Sequence, residues 1–466
     1  MRFKSIRKKD QHEQLSRRAL IGWMGAAGAC LSIPAWKVWE VIEGSHGTAY
    51  AQDASCMASN RAIFINMGVG GLAHATQWFT SPYMGQQSSG GEAYLWIGAG
   101  DRGEMAATSQ PLWATPAGRR MLEPITDVAT YGPTLMIGDD NETHTRQSVN
   151  GVTSSRGLGV KAAAGANALQ NPGLLAGFEV AAPFIGAAPG QPQNITVPSA
   201  QAMIDNVNSA ATQAGALLAN EANASRWKAN YDALMSLNKA AGNEATKNAF
   251  GVGKTSAFVI GKNLAALLQP SLAQQSRYAG APGRLREFGE VMAIGANCFI
   301  NGICSMIHFQ GFNDDPHQHF NDIAGGIADE MVAAEIVAGL FTDLSVEDPY
   351  CPGSLMYQKT VTVFEGDTMK NPYTAAGWPD GTPNGGTGAW VFGAGELETG
   401  MFGTWQDGTL QGWDLATGAP GTNLMPQHGQ HIAAIIMHAI NRRDTRATEA
   451  FGAYNPGVIA IAPDGT

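Results

Sequence analysis

The chain has 466 residues, 44% of them hydrophobic and 15% charged, with a formal net charge of −10. A balance this acidic argues against nucleic acid or anionic lipid as the main partner, because both demand a basic surface. Eight of the 29 Lys/Arg but only four of the 39 Asp/Glu precede residue 52, so the remainder stands at −14.

The first 51 residues read as an address. A basic stretch (Arg2, Lys4, Arg7, Lys8, Lys9) leads to Ser16-Arg17-Arg18-Ala19-Leu20, and an uncharged run follows from Ala19 to Trp36. With the small-residue site Ala49-Tyr50-Ala51, this is the layout of a twin-arginine export signal, whose route carries folded proteins. The alternative is an uncleaved anchor, since the glycine- and alanine-rich run is only just long enough to span a bilayer. The expected location is periplasmic or extracellular. No later stretch is apolar enough to cross a membrane, so no membrane span is expected after signal cleavage. Residues 52–466 are long enough for one large domain or two ordinary ones. They keep Cys56, Cys298, Cys304 and Cys351, an even number that leaves three connectivities open in an oxidising compartment. Cys298 and Cys304 sit in an apolar stretch and suit buried free thiols equally well.

The predicted elements alternate along the chain. Arg61–Met67 is a buried strand emptying into Gly68-Val69-Gly70-Gly71, and residues 80–120 look like irregular surface. After Pro198-Ser199, helical spacing recurs through Met203, Val207, Ala210 and Leu217 to about residue 245. Further helices are expected over 264–275 and 282–297, then a strand over 300–309 and a helix over 323–344. Strands follow at 359–365 and 389–393, and a helix at 428–441 carries an Ile432, Ile435, Ile436, Ala439 stripe. The pattern predicts an α/β fold, a mostly parallel sheet sandwiched by helices, with a helical insertion at about 198–280. Ligands of such sheets bind at the carboxyl ends of the strands.

Three expected strands end in polar loops. The first loop holds His74, the second Asn313-Asp314-Asp315-Pro316-His317-Gln318-His319, and the third Glu365-Gly366-Asp367-Thr368. Carboxylates and imidazoles converging from several strand ends are what a divalent metal needs, so Asp314, His317, His319, Glu365 and Asp367 form a possible ligand set. His74, His144, Asn313 and Thr368 are further candidates. The plainer reading is that Asp314 and Asp315 cap the next helix and that loop histidines are solvated. His428, His431 and His438 read as a solvated or partly buried helix flank.

In this order the loops resemble the twin-arginine-exported bacterial family known as domain of unknown function 1501, similar in fold to the alkaline phosphatase and sulfatase clan. The stretches that carry the likeness are Gly70-Gly71-Leu72-Ala73-His74, Gln310-Gly311-Phe312-Asn313-Asp314-Asp315, Phe364-Glu365-Gly366-Asp367-Thr368 and Gly385-Gly386-Thr387-Gly388-Ala389-Trp390. The turn from Gly393-Ala394-Gly395 to Gly400 and Phe402-Gly403-Thr404-Trp405 completes it. The resemblance implies one alkaline-phosphatase-like domain over 52–466 and, in the clan, one or two metals held by Asp and His.

Several of those positions differ here. Ala75 stands where the family has an acid, and Phe312-Asn313 replaces Trp-Asp. The Arg of the Glu-x-x-Arg-Thr segment is missing, and Gly386-Thr387 occupies the place of an Asp-His pair. No Cys-x-Pro-x-Arg nucleophile signature occurs, since Cys351-Pro352-Gly353 does not reproduce it. The expectation is an exported scaffold with a degenerate site, used for binding or surface assembly. The alternative is a metal-dependent hydrolase of phosphate or sulfate esters. The ligand would be a protein, a glycan or a small ester.

Overall fold

A computed structural model gives the structure. It describes residues 56–67 without 58, 116–140, isolated positions between 160 and 171, 175–180, 195–205, 264–312, 323–366, 386–402, 404–406, 409–413, 420–422 and 426–442. Residues 1–55, which hold the expected export signal, lie outside the described residues, as do His74 and residues 206–245.

A mixed eight-stranded sheet forms the centre. Its strands are β1 (Arg61–Met67), β2 (Pro133–Asp140), β3 (Leu175–Val180), β4 (Ile195–Val197), β5 (Cys304–Gln310), β6 (Thr360–Gly366), β7 (Gly386–Phe392) and β8 (Gly400–Phe402). They lie in the order β4-β3-β5-β1-β6-β7-β2-β8. β1 pairs in parallel with β5 on one side and β6 on the other. All its residues are buried except Asn66, which is half-buried, as expected of an Ile/Phe-rich run covered on both faces. Three short strands, β9 (Thr404–Gln406), β10 (Thr409–Trp413) and β11 (Pro420–Thr422), make a separate antiparallel sheet.

Helices cover both faces. On one side Ile63, Ile65 and Met67 join a core with α1 (Pro116–Leu122), α5 (Gly283–Ile300) and α6 (Ile323–Asp343). On the other side Ala62, Phe64, Val361 and Val363 pack with α7 (Pro426–Asn441). A short helix α2 (Val128–Tyr131) leads into β2, and α3 (Leu264–Leu268) and α4 (Leu272–Ser276) flank α5. No helix among the described residues is long and apolar enough to cross a membrane.

Several expectations need correction. Residues 116–120 are not irregular surface but the first part of α1, with Ala117 and Met121 buried and Arg120 forked onto Glu335 of α6 at 2.7 and 2.9 Å. Ile300 ends a helix rather than opening a strand, because Gly302, at φ 65°, turns the chain before β5. β7 begins three residues early and runs antiparallel to both neighbours. On α7, His438 is fully buried and every residue from His431 to Asn441 is buried, so both flanks of that stretch are covered. Of the cysteines, Cys56 and Cys351 form a disulfide, and Cys298 and Cys304 are buried thiols.

The segment that holds α4 and leads into α5 is clamped onto α5 and α6. Arg277 donates from Nη1 and Nη2 to Asp343 at 2.8 Å each, and Gln274 donates to Asp343 and Asn297 at 2.9 and 3.1 Å. Tyr278 lies on Gly289, where a Cβ would come within 2.5 Å of its ring, and Arg277 lies on Gly339 at the same close approach. Mid-helix Gly→Ala ordinarily stabilises by about 1 kcal/mol. Overpacking costs about 1–3 kcal/mol and wins here. Gly289→Ala is therefore expected to lower the denaturation midpoint, and a raised midpoint would mean Tyr278 swings aside freely.

Candidate functional site

Every strand of the main sheet except β7 points the same way. Their carboxyl ends, at Met67, Asp140, Val180, Val197, Gln310, Gly366 and Phe402, therefore share one edge, where β7 also begins at Gly386. The chain that carries His74 leaves from the end of β1, and the chain that carries His144 leaves from the end of β2. The run holding Asn313, Asp314, His317 and His319 follows β5, and Asp367 and Thr368 follow β6. These eight residues themselves lie outside the described residues; what the sheet fixes is the common edge from which their segments start. β3 continues outward to β4, whereas β5 continues to β6 beyond β1, so the topological switch falls at β5. Such a switch opens a crevice at the carboxyl ends.

Glu365 is the one candidate ligand among the described residues, and it is fully buried. Its register shows what stands around it. Asn66 is opposite Gln310 on one side and Glu365 on the other. Two residues earlier on the same face are Phe64 and Val363, both in the core against α7. Beside Phe64 in that row stands the fully buried His308 of β5, and the next and last row, Gln310–Asn66–Glu365, is polar across three adjacent strands about 4.8 Å apart. Asn66 and Gln310 were not singled out by the sequence. The available signal was a polar residue closing each apolar run, in Ile63-Phe64-Ile65-Asn66, Met306-Ile307-His308-Phe309-Gln310 and Val363-Phe364-Glu365.

The start of the middle loop is held firmly. The Asn66 carbonyl accepts from the Gly311 amide and from Gln310 Nε2, each at 2.8 Å. Phe312 is buried and meets Phe288 of α5 edge-on, with ring centroids 5.3 Å apart. Gly311 passes so close to β1 that a Cβ would stand 2.8 Å from Met67 Sδ, 3.1 Å from Ile65 and 3.3 Å from the Asn66 carbonyl. Gly311→Val is expected to cost about 1–3 kcal/mol and to displace the loop that follows. Amide exchange at 310–312 checks this; unchanged protection would show that the close approach is slack.

Next to β4 at this end of the sheet, a cleft of about 380 Å³ opens between Ser199, Ala200 and Gln201 and the first turns of α5. It is lined by Arg286, Glu287 and Glu290. Glu365 is a hard oxygen donor and suits a divalent cation in kind. Among the described residues, however, no three His, Cys, Asp or Glu side chains gather as a metal site would require.

No protein-family model matches the chain, and neither curated proteins nor solved structures give a match.

Proposed function

We propose that this chain is an exported scaffold of the alkaline phosphatase/sulfatase type whose carboxyl-edge site is a degenerate version of that clan's, used to bind a partner at a surface. The observation that carries the reading is the common edge: segments holding all the candidate residues start from one end of a sheet built around β5-β1-β6. Two departures from the family pattern have structural roles. Phe312, in place of a Trp, is a buried packing residue against Phe288 of α5. Gly386 and Thr387, in place of an Asp-His pair, pair with β2 opposite Asp140 and Gly138. Residues engaged in core and ladder supply no metal charge. The twin arginines at 17 and 18 support a destination outside the cytoplasm.

The second reading, a metal-dependent ester hydrolase, is favoured by Glu365, a buried carboxylate at a strand end. The two part on elemental analysis of the purified exported protein combined with a panel of phosphate and sulfate esters. The scaffold reading expects no stoichiometric metal, no turnover, and a denaturation midpoint unmoved by chelator. One divalent ion per chain, with hydrolysis lost in Glu365→Gln, would replace it by the hydrolase.

A further inference from the structure

The four cysteines after residue 51 fall into two pairs of opposite character. Cys56 is half-buried near the start of the described chain and is bonded to Cys351, 295 residues away. Cys298 and Cys304 are 0% and 1% exposed and hydrogen-bonded to each other across the turn between α5 and β5. That turn is set by Gly302, at φ 65°, and by the Ile303 amide, which donates to the Cys298 carbonyl at 2.8 Å.

We propose that the pairs are separate redox elements. Cys56–Cys351 is a latch that closes on the finished fold after export, and Cys298/Cys304 is a dithiol sealed beforehand that stays reduced outside the cytoplasm. The inference rests on the twin-arginine reading, since only a chain exported folded would bury one pair before meeting an oxidant.

The latch can be set without its disulfide. Met57, Ser59 and Asn60 have their own hydrogen bonds: Arg442 Nη1 to the Met57 carbonyl at 2.6 Å, the Ser59 amide to Asn171 Oδ1 at 3.1 Å, and Asn171 Nδ2 back to the Ser59 carbonyl at 2.8 Å. The Asn60 amide donates to the Ile440 carbonyl at 2.7 Å, and Asn60 Nδ2 to that of Ala439 at 2.8 Å. Docking this strip lays Cys56 against Cys351, with Cys56 partly open to solvent. A protein disulfide of the exporting compartment can then exchange with it. The Cys56 thiolate attacks that disulfide and releases one partner thiolate. The Cys351 thiolate then attacks Cys56 Sγ of the mixed disulfide and releases the second, and the two protons given up by Cys56 and Cys351 are balanced by two taken up on the partner's thiolates. Two electrons pass to the partner, which departs as a dithiol.

The other pair offers no such entry. Only a thiolate attacks, and burial, with Cys304 as hydrogen-bond partner, pushes the Cys298 thiol well above its ordinary range. The segment entering β1 is thus fastened by a bond available only after arrival, and the buried thiol pair records whether folding came first.

Differential alkylation of the full exported chain tests this. Native protein is treated with iodoacetamide, then denatured without reductant and treated with N-ethylmaleimide, and its peptides are weighed. The expected result is Cys56 linked to Cys351, with Cys298 and Cys304 carrying only the second label. A Cys298–Cys304 disulfide, or first-label uptake at either, overturns the sealed dithiol. A second form carries a leader that delivers the chain unfolded; there Cys298 and Cys304 are expected to be oxidised in at least half the molecules. Full reduction in that form would overturn the claim that folding before export protects them. Arg17→Lys with Arg18→Lys separates the premises: retained precursor should hold five thiols, Cys30 and the four after residue 51. Undiminished export of this variant would sink the export reading, while the label pattern still decides the thiol pair.

Discussion

Asp348→Asn is expected to lower the stability of the folded chain by about 3–5 kcal/mol, the cost of leaving a buried charge without its counter-ion. Asp348 and Arg61 are a bidentate pair, Nη1 to Oδ2 at 2.5 Å and Nη2 to Oδ1 at 3.2 Å, with side chains 0% and 2% exposed. The Tyr350 amide donates to Asp348 Oδ1 at 2.9 Å, and the Tyr350 ring faces the guanidinium with its centroid 5.9 Å from Cζ. The substitution keeps the shape and removes the charge, so the Arg61 guanidinium is left without its counter-ion in a dry site. Removing both charges should cost far less, because desolvation of the pair consumes most of its Coulomb gain. Urea midpoints at unchanged slope for Asp348→Asn and for Arg61→Met with Asp348→Leu make the comparison. A loss under 1 kcal/mol in the single variant would show that water reaches the pair.

The pair also illustrates what the sequence hides. β1, β5, β6 and α7 were legible because each is a run of apolar residues with a clear period and a polar end. β2, β3, β4 and β8 were missed: glycine interrupts the apolar runs Leu135-Met136-Ile137-Gly138 and Leu175-Ala176-Gly177-Phe178, and β4 and β8 are only three residues each. The direction of β7 has no local signature, since one alternation serves parallel and antiparallel ladders. At the site, Glu365 was legible as a carboxylate closing a strand. Asn66 and Gln310 acquire meaning only from the register that lines them up with it. Arg61 and Asp348, 287 positions apart, could not be joined by spacing at all.

Breaking the Cys56–Cys351 disulfide, by reduction or as Cys56→Ser with Cys351→Ser, is expected to cost about 2–5 kcal/mol, because it closes a very long loop in the unfolded chain. Its coupling to the ion pair tells more than its size. Cys351 and Asp348 lie on one segment, which leads through the 3₁₀ turn Met356–Lys359 into β6, and Cys56 and Arg61 lie on the strip entering β1. If the disulfide acted only on the unfolded chain, its cost and that of Asp348→Asn would add within about 0.3–0.5 kcal/mol. The structure argues for less than additivity. With the disulfide intact, the segment cannot move off and the stranded Arg61 charge stays dry. Once the disulfide is gone, the segment can lift and admit water, which relieves part of the penalty. The combined variant should therefore lose about 0.5–3 kcal/mol less than the sum of the two. A cycle of four urea titrations measures this. Strict additivity would mean that the disulfide does not hold the segment in the folded state.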